Sequence, residues 1–262
     1  MLMKGLYYLK LVYRLLKRLL LALKMFLLKL RLSVAGVEAA GSYSNALIIA
    51  PHPDDEVLGL GAFMIRQLRS GKSLSVVYLS NGEKSQEELD GDEIAARRKQ
   101  ITLSVHDRLG FDTGRARWCN FPDGGIPGKN SKKFKEALET VRQILVETAP
   151  DAVFVTHPFD MWPDHIAAYD LVTEAVRGDG IKCDVYAYWV WVWYSMPLTA
   201  ILSLLCRPLY RLPIGKDRPE KHVLTDLYLL PKAPNGKAWS GTLPEAMVRA
   251  LDYPYEIVER VV

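Results

Sequence analysis

The stretch Ala46-Leu47-Ile48-Ile49-Ala50-Pro51-His52-Pro53-Asp54-Asp55-Glu56-Val57-Leu58-Gly59 decides the fold. Ala46 to Ala50 is an apolar run of strand length, and Val57 to Ile65 reads as a helix, so the histidine and the acids behind it occupy a strand-to-helix turn. In an open α/β sheet, ligands collect at such turns, at the carboxyl ends of the strands. His52 and Asp55 can face one divalent ion, while Asp54 between them points elsewhere and can handle a proton.

Catalytic zinc takes about three protein ligands and a water, so this turn calls for a second histidine from a distant part of the chain. His165 is the candidate, in Asp160-Met161-Trp162-Pro163-Asp164-His165-Ile166, because the apolar run Ala152 to Thr156 again leads through a loop into a helix. Asp164 is expected to cap that helix. Elsewhere, Leu74 to Leu79 and Val185 to Trp193 read as strands. Asp92 to Leu109, Lys132 to Thr148 and Leu198 to Leu205 read as helices, the last set off by Pro197. Alternating strands and helices imply a three-layer α/β/α sandwich around a mostly parallel, Rossmann-like sheet.

These residues resemble the PIG-L/LmbE-like family of zinc-dependent N-acetylglucosaminide deacetylases. The family signature is a His-Pro-Asp-Asp-Glu turn followed much later by Pro-Asp-His, matched here by His52 to Glu56 and by Pro163-Asp164-His165. A looser likeness runs from about Asn45 to Tyr194 and takes in Arg97-Arg98, Phe121-Pro122-Asp123-Gly124 and Tyr188-x-x-Trp191. The resemblance implies His52, Asp55 and His165 as ligands of Zn2+ and Asp54 as general base, in a hydrolase that removes acetyl from an N-acetylated amino sugar. Two imidazoles and a carboxylate also suit other divalent transition metals. Arg97, Arg98, Asp123 and Trp162 are expected at the substrate, and Glu56, His157 and Asp164 as outer support for the ligands. Many family members carry a histidine where this chain has Trp162, so the oxyanion falls to the metal alone or to another donor such as His157. His106 and His222 are expected to be solvated. Two alternatives remain at this stage: an amidase acting on a soluble N-acetylglucosaminyl conjugate, and a sugar-binding scaffold of the same fold without catalysis.

Charge separates the N-terminus from the rest. The net charge is +4, yet residues 1 to 32 hold eight cations (Lys4, Lys10, Arg14, Lys17, Arg18, Lys24, Lys29 and Arg31) and no acid, so the remainder carries 4 − 8 = −4. A body of that charge argues against nucleic acid as a partner. Wound at about 100° per residue, the segment places most leucines on one side and all its cations in the other half, shared with Leu6, Leu11, Leu21 and Leu28. The expectation is an amphipathic helix over residues 1–35 lying on an anionic membrane surface, with a break at Ser33 to Gly36 and the catalytic domain over 36–262. Docking on a partner protein or a second copy is the alternative for this helix. On the membrane reading the protein is peripheral, at the cytoplasmic face. The uncharged run Tyr186 to Cys206 offers Leu198, Ile201, Leu202, Leu204 and Leu205 either to the core or to lipid. Cys119, Cys183 and Cys206 show neither metal nor disulfide spacing, which fits a reducing compartment.

Overall fold

The computed structural model describes residues 2–34, 43–178 and 180–261. Seven strands form one sheet in the order β3-β2-β1-β4-β5-β7-β6. β1 (Asn45–Ala50), β2 (Ser73–Ser80), β3 (Ala116–Phe121), β4 (Ala152–Thr156) and β5 (Asp184–Tyr188) run parallel. β7 (Tyr255–Arg260) is antiparallel to both β5 and β6 (Leu209–Pro213). After β3 the chain returns to the other side of β1, so β1 and β4 are adjacent at the topological switch, where a cleft opens beyond the strand ends.

Strand alternation builds two apolar layers. Ala46 and Ile48 of β1 face α2 (Asp55–Arg69), α3 (Gly91–Leu109) and α7 (Arg218–Leu229), packing with Phe63, Val105 and Leu224. Leu47 and Ile49 face α4 (Phe134–Thr148) and α5 (Pro163–Gly178), packing with Val141 and Leu171. The three-layer α/β/α sandwich and its mostly parallel sheet follow from this arrangement. The remaining helices are α1 (Leu2–Val34), α6 (Val192–Ser195) and α8 (Glu245–Leu251).

Three expectations need correction. The strand read over Val185 to Trp193 ends at Tyr188: Trp189 N still donates to Ile257 O at 3.0 Å, but the Asp160 carboxylate then captures Val190 N at 3.3 Å and Trp191 N at 2.6 Å. The chain then turns into α6 and, past Pro197, into a 3-10 helix over Leu198–Cys206 rather than an α-helix. His106 is buried, not solvated; its Nε2 lies 3.0 Å from Tyr78 Oη, and burial pushes its pKa down to about 4. His222 is half-exposed, 3.3 Å from Asp252.

α1 extends through Ser33 and Val34; the rest of the expected break, from Ala35 to Gly36, lies outside the described residues. Its last turns dock on the body through a stripe of the cationic half. Leu28 and Leu32 are buried among Trp189, Val192, Trp193 and Leu204. Lys24 donates to the carbonyls of Tyr194 and Met196, and Arg31 Nε donates to Leu204 O at 2.8 Å. Burial lowers the Lys24 pKa to about 8. The leucine face therefore points away from the body, with Leu19, Leu23 and Leu30 exposed. Leu198, Leu202 and Leu205 are exposed as well, whereas Ile201 and Leu204 pack inward. No helix among the described residues is long and apolar enough to cross a membrane.

Candidate active site

The turn after β1 is tight enough to force Asp54 to φ 124°, ψ −30°, a backbone conformation rare for a residue with a side chain. Glu56 holds this turn by accepting the Asp54 N–H at 2.9 Å, and Tyr228 Oη donates to the other Glu56 oxygen at 2.7 Å. Asp55 then opens α2 with its carboxylate turned back toward His52. From the next strand over, β4 leads through a short 3-10 turn (Pro158–Asp160) to α5, whose first turn carries His165.

His52, Asp55 and His165 meet. Asp55 Oδ2 lies 3.3 Å from His52 Nδ1 and 3.4 Å from His165 Nε2. Four-coordinate zinc with bonds of roughly 2.0–2.1 Å has ligand-to-ligand edges of about 3.3 Å, so this donor spacing fits a tetrahedral ion. The far side of each imidazole is also held. His165 Nδ1 faces Asp160 Oδ2 at 2.8 Å, and His52 Nε2 faces Asp123 Oδ1 and Asp164 Oδ2, both at 3.1 Å. Carboxylates in these places fix ring orientation and tautomer for metal binding. His52, Asp123 and Asp164 form a second donor group around the other nitrogen of the ring. Asp164 there already accepts from Gly124 N (2.6 Å) and Ile126 N (3.1 Å), and Asp123 from Lys84 N (2.7 Å), so the group reads as a hydrogen-bonded brace.

Asp164 accordingly does not serve as the expected helix cap: α5 starts at Pro163, and the Asp164 carboxylate ties the 124–126 loop to His52. His157 is occupied elsewhere, with Nε2 2.9 Å from Glu259 Oε2 and Nδ1 accepting from Phe159 N at 2.9 Å; it neither lines the cleft nor touches a donor of the triad. Arg98 is buried and its Nη2 binds Asp54 Oδ2 at 2.9 Å and the Pro53 carbonyl, whereas Arg97 is exposed over Trp239 and lies outside the cleft. Trp162 is half-exposed at the cleft wall, edge-on to Trp191 with ring centroids 5.2 Å apart. Asp160 is the residue that the sequence reading left without a role. Its signal was present: an acid five positions before the ligand histidine, separated by one turn.

The electrostatics are unbalanced. Burial pushes the Asp54 carboxyl up to about 7 although Arg98 pulls the other way, and the nearby Asp55 and Glu56 charges add to the rise. Burial likewise pushes Glu56 up to about 7. For His52 and His165, burial disfavours the charged ring, but carboxylates outweigh it and both pKa values are raised: Asp123, Asp164 and Asp55 at His52, Asp55 and Asp160 at His165. A buried site with this excess of negative charge calls for a cation, and the donor set suits a divalent one.

A parallel α/β sheet with a two-histidine, one-aspartate cluster at its switch point defines a class, a sandwich-fold protein with the makings of a hydrolytic metal site. Residues 47–176 match the PIG-L family, described as GlcNAc-PI de-N-acetylase, and this part of the chain is a PIG-L domain. A 1D-myo-inositol 2-acetamido-2-deoxy-alpha-D-glucopyranoside deacetylase from Nocardia farcinica is 27% identical over 158 residues, covering 50% of this chain and 51% of the relative. The chain thus spans about half the length of that relative. Among solved structures, N,N'-diacetylchitobiose deacetylase from Pyrococcus horikoshii aligns with a TM-score of 0.61 at 19% identity, covering 84% of each chain. GalB, the 4-carboxy-2-hydroxymuconate hydratase from Pseudomonas putida KT2440, aligns with a TM-score of 0.59 at 17% identity, covering 84% of this chain and 96% of its own. The fold therefore accommodates more than one reaction, and function has to be argued from the site.

Proposed function

We propose that the chain is a metal-dependent hydrolase that removes the acetyl group from an N-acetylated amino sugar of the N-acetylglucosamine type. On this reading His52, Asp55 and His165 hold the ion, and Asp54 is the general base. The observation that carries it is the joint placement of that triad and the Asp54 carboxyl on the wall of one cleft. The names of the Nocardia and Pyrococcus proteins, both deacetylases of acetamido sugars, support the substrate class.

A divalent ion there would polarise the amide carbonyl and acidify a water. The protein's own groups do the rest. Asp54 accepts a proton from the attacking water and returns it to the departing nitrogen as the carbon–nitrogen bond breaks, leaving acetate and a free amine. Arg98 fixes Asp54 Oδ2 and so orients the carboxyl, and Glu56 keeps the strained turn from relaxing. Trp162 and Trp191 supply an apolar wall suited to the C–H face of a pyranose ring. His157, bound to Glu259, offers nothing to an oxyanion in the cleft.

The test compares wild type with Asp54→Asn for metal content by elemental analysis and for acetate release from N-acetylglucosaminyl inositol and simpler N-acetylglucosaminides. Equal metal with a loss of about 10²- to 10⁴-fold in kcat is expected. Equal rates overturn the base assignment. A fully metallated wild type that releases acetate from none of these conjugates overturns the reading.

A further inference from the structure

We propose that α1 and the Leu198–Cys206 segment form one ledge that seats on an anionic bilayer and turns the mouth of the cleft toward saccharides held at that surface. The second half of this statement rests on the deacetylase reading; the first does not.

The ledge is continuous. Leu27 and Leu30 of α1 share an apolar groove with Leu198, Leu202 and Leu205, and exposure reaches 66% at Leu19, 72% at Leu202 and 60% at Leu205. A patch of this extent calls for an occupant. It is also rigidly mounted, since Leu28, Leu32 and the hydrogen bonds of Lys24 and Arg31 fix the end of α1 to the body.

Charge selects the occupant. Wound at about 100° per residue, Lys17 lies beyond one flank of the leucine face and Lys29 and Arg18 beyond the other, all three exposed, with no acid in residues 1 to 32. Cations flanking a leucine face stand where lipid phosphates lie when a helix rests in the interface plane. A second copy docked on the same face would set like charges against each other. A chain of contacts then leads from the docked side of α1 to the cleft. Lys24 Nζ lies 5.9 Å from the centroid of the Tyr194 ring, Tyr194 is 6.4 Å from Trp191, and Trp191 is 5.2 Å from Trp162 at the cleft wall.

The experiment sediments the full-length protein with phosphatidylcholine vesicles, with and without phosphatidylglycerol, at low and high salt. It compares wild type with Leu202→Glu/Leu205→Glu and, as a second variant, Leu19→Glu/Leu23→Glu. Wild type is expected to bind the anionic vesicles about tenfold more tightly than neutral ones and to release in salt, with each variant losing about tenfold in affinity. Acetate release from soluble methyl N-acetylglucosaminide should stay unchanged in the Leu202→Glu/Leu205→Glu protein. Its kcat/KM on an alkyl N-acetylglucosaminide embedded in anionic vesicles should fall about tenfold. Equal sedimentation of wild type and both variants overturns the ledge. So does a wild-type dimer, seen by light scattering, that these substitutions split while vesicles bind neither form. Vesicle binding without acetate from either substrate sinks the deacetylase reading and leaves the ledge standing. Acetate from the soluble substrate without vesicle binding does the reverse.

Discussion

Two clusters of buried charge sit along α2, and they are built on opposite terms. At its start, Asp54, Asp55, Glu56, Asp123, Asp160 and Asp164 crowd around Arg98 and two imidazoles, and the carboxyls of Asp54 and Glu56 are pushed up to about 7. In its middle, Glu256 and Lys221 are equally buried, 2.8 Å apart, and well matched. The helix breaks at Leu60 (φ −136°, ψ 17°), and Glu256 accepts the freed N–H groups of Ala62 at 2.7 Å and Phe63 at 2.9 Å while Lys221 donates to Leu58 O at 3.2 Å. The matched cluster repairs a helix. The unmatched one is left with negative charge that only something from outside the chain can balance, which separates a structural cluster from a chemical one.

The largest effect that can break this comparison is His165→Ala. It should empty the triad of metal and lower kcat/KM by more than about a thousandfold. A variant that keeps full metal and activity would place the ion elsewhere. The reverse pattern is expected in the matched cluster. Lys221→Met leaves Glu256 uncompensated and should cost about 3–5 kcal/mol in urea unfolding with bound metal retained. A loss below about 1 kcal/mol, the range of a surface pair, would show that this pair is ornamental.

His106 sharpens the contrast at smaller scale, as a buried titratable group with one partner. Its folded pKa is depressed to about 4, so its contribution is fully present above the unfolded value of about 6.5 and is lost as acid protonates the unfolded chain first. Between pH 7 and pH 5, wild type should lose about 2 kcal/mol more stability than His106→Gln, read from urea midpoints at both pH values. Parallel losses would mean that the ring titrates normally.

Much of the fold was legible because its signals are local. Ala46 to Ala50 and Ala152 to Thr156 are apolar runs that end in polar turns, and periodicity alone places His52 and His165 at two strand ends. What stayed hidden depends on distant partners. His106 sits on a helix with charged neighbours, and only the packing of α3 over Tyr78 and Trp118 buries it. The end of β5 is set by Asp160, some thirty residues earlier, and no pattern within Val185 to Trp193 announces it. For α1 the period gives two faces but not which one docks, and the body takes the stripe of Lys24, Leu28, Arg31 and Leu32 because its own carbonyls need donors there. The antiparallel pair β6 and β7 lies beyond any stretch that the family pattern reaches.

The break in α2 ties that helix to a strand 194 residues further along the chain. The lower half of that helix receives its cap from Glu256 of β7, so during synthesis the N–H groups of Ala62 and Phe63 stay without this acceptor until residue 256 has left the ribosome. Completion of α2 therefore waits for β7, and a nascent chain stalled short of that strand would carry every ligand residue while the helix behind Asp55 still lacked its cap.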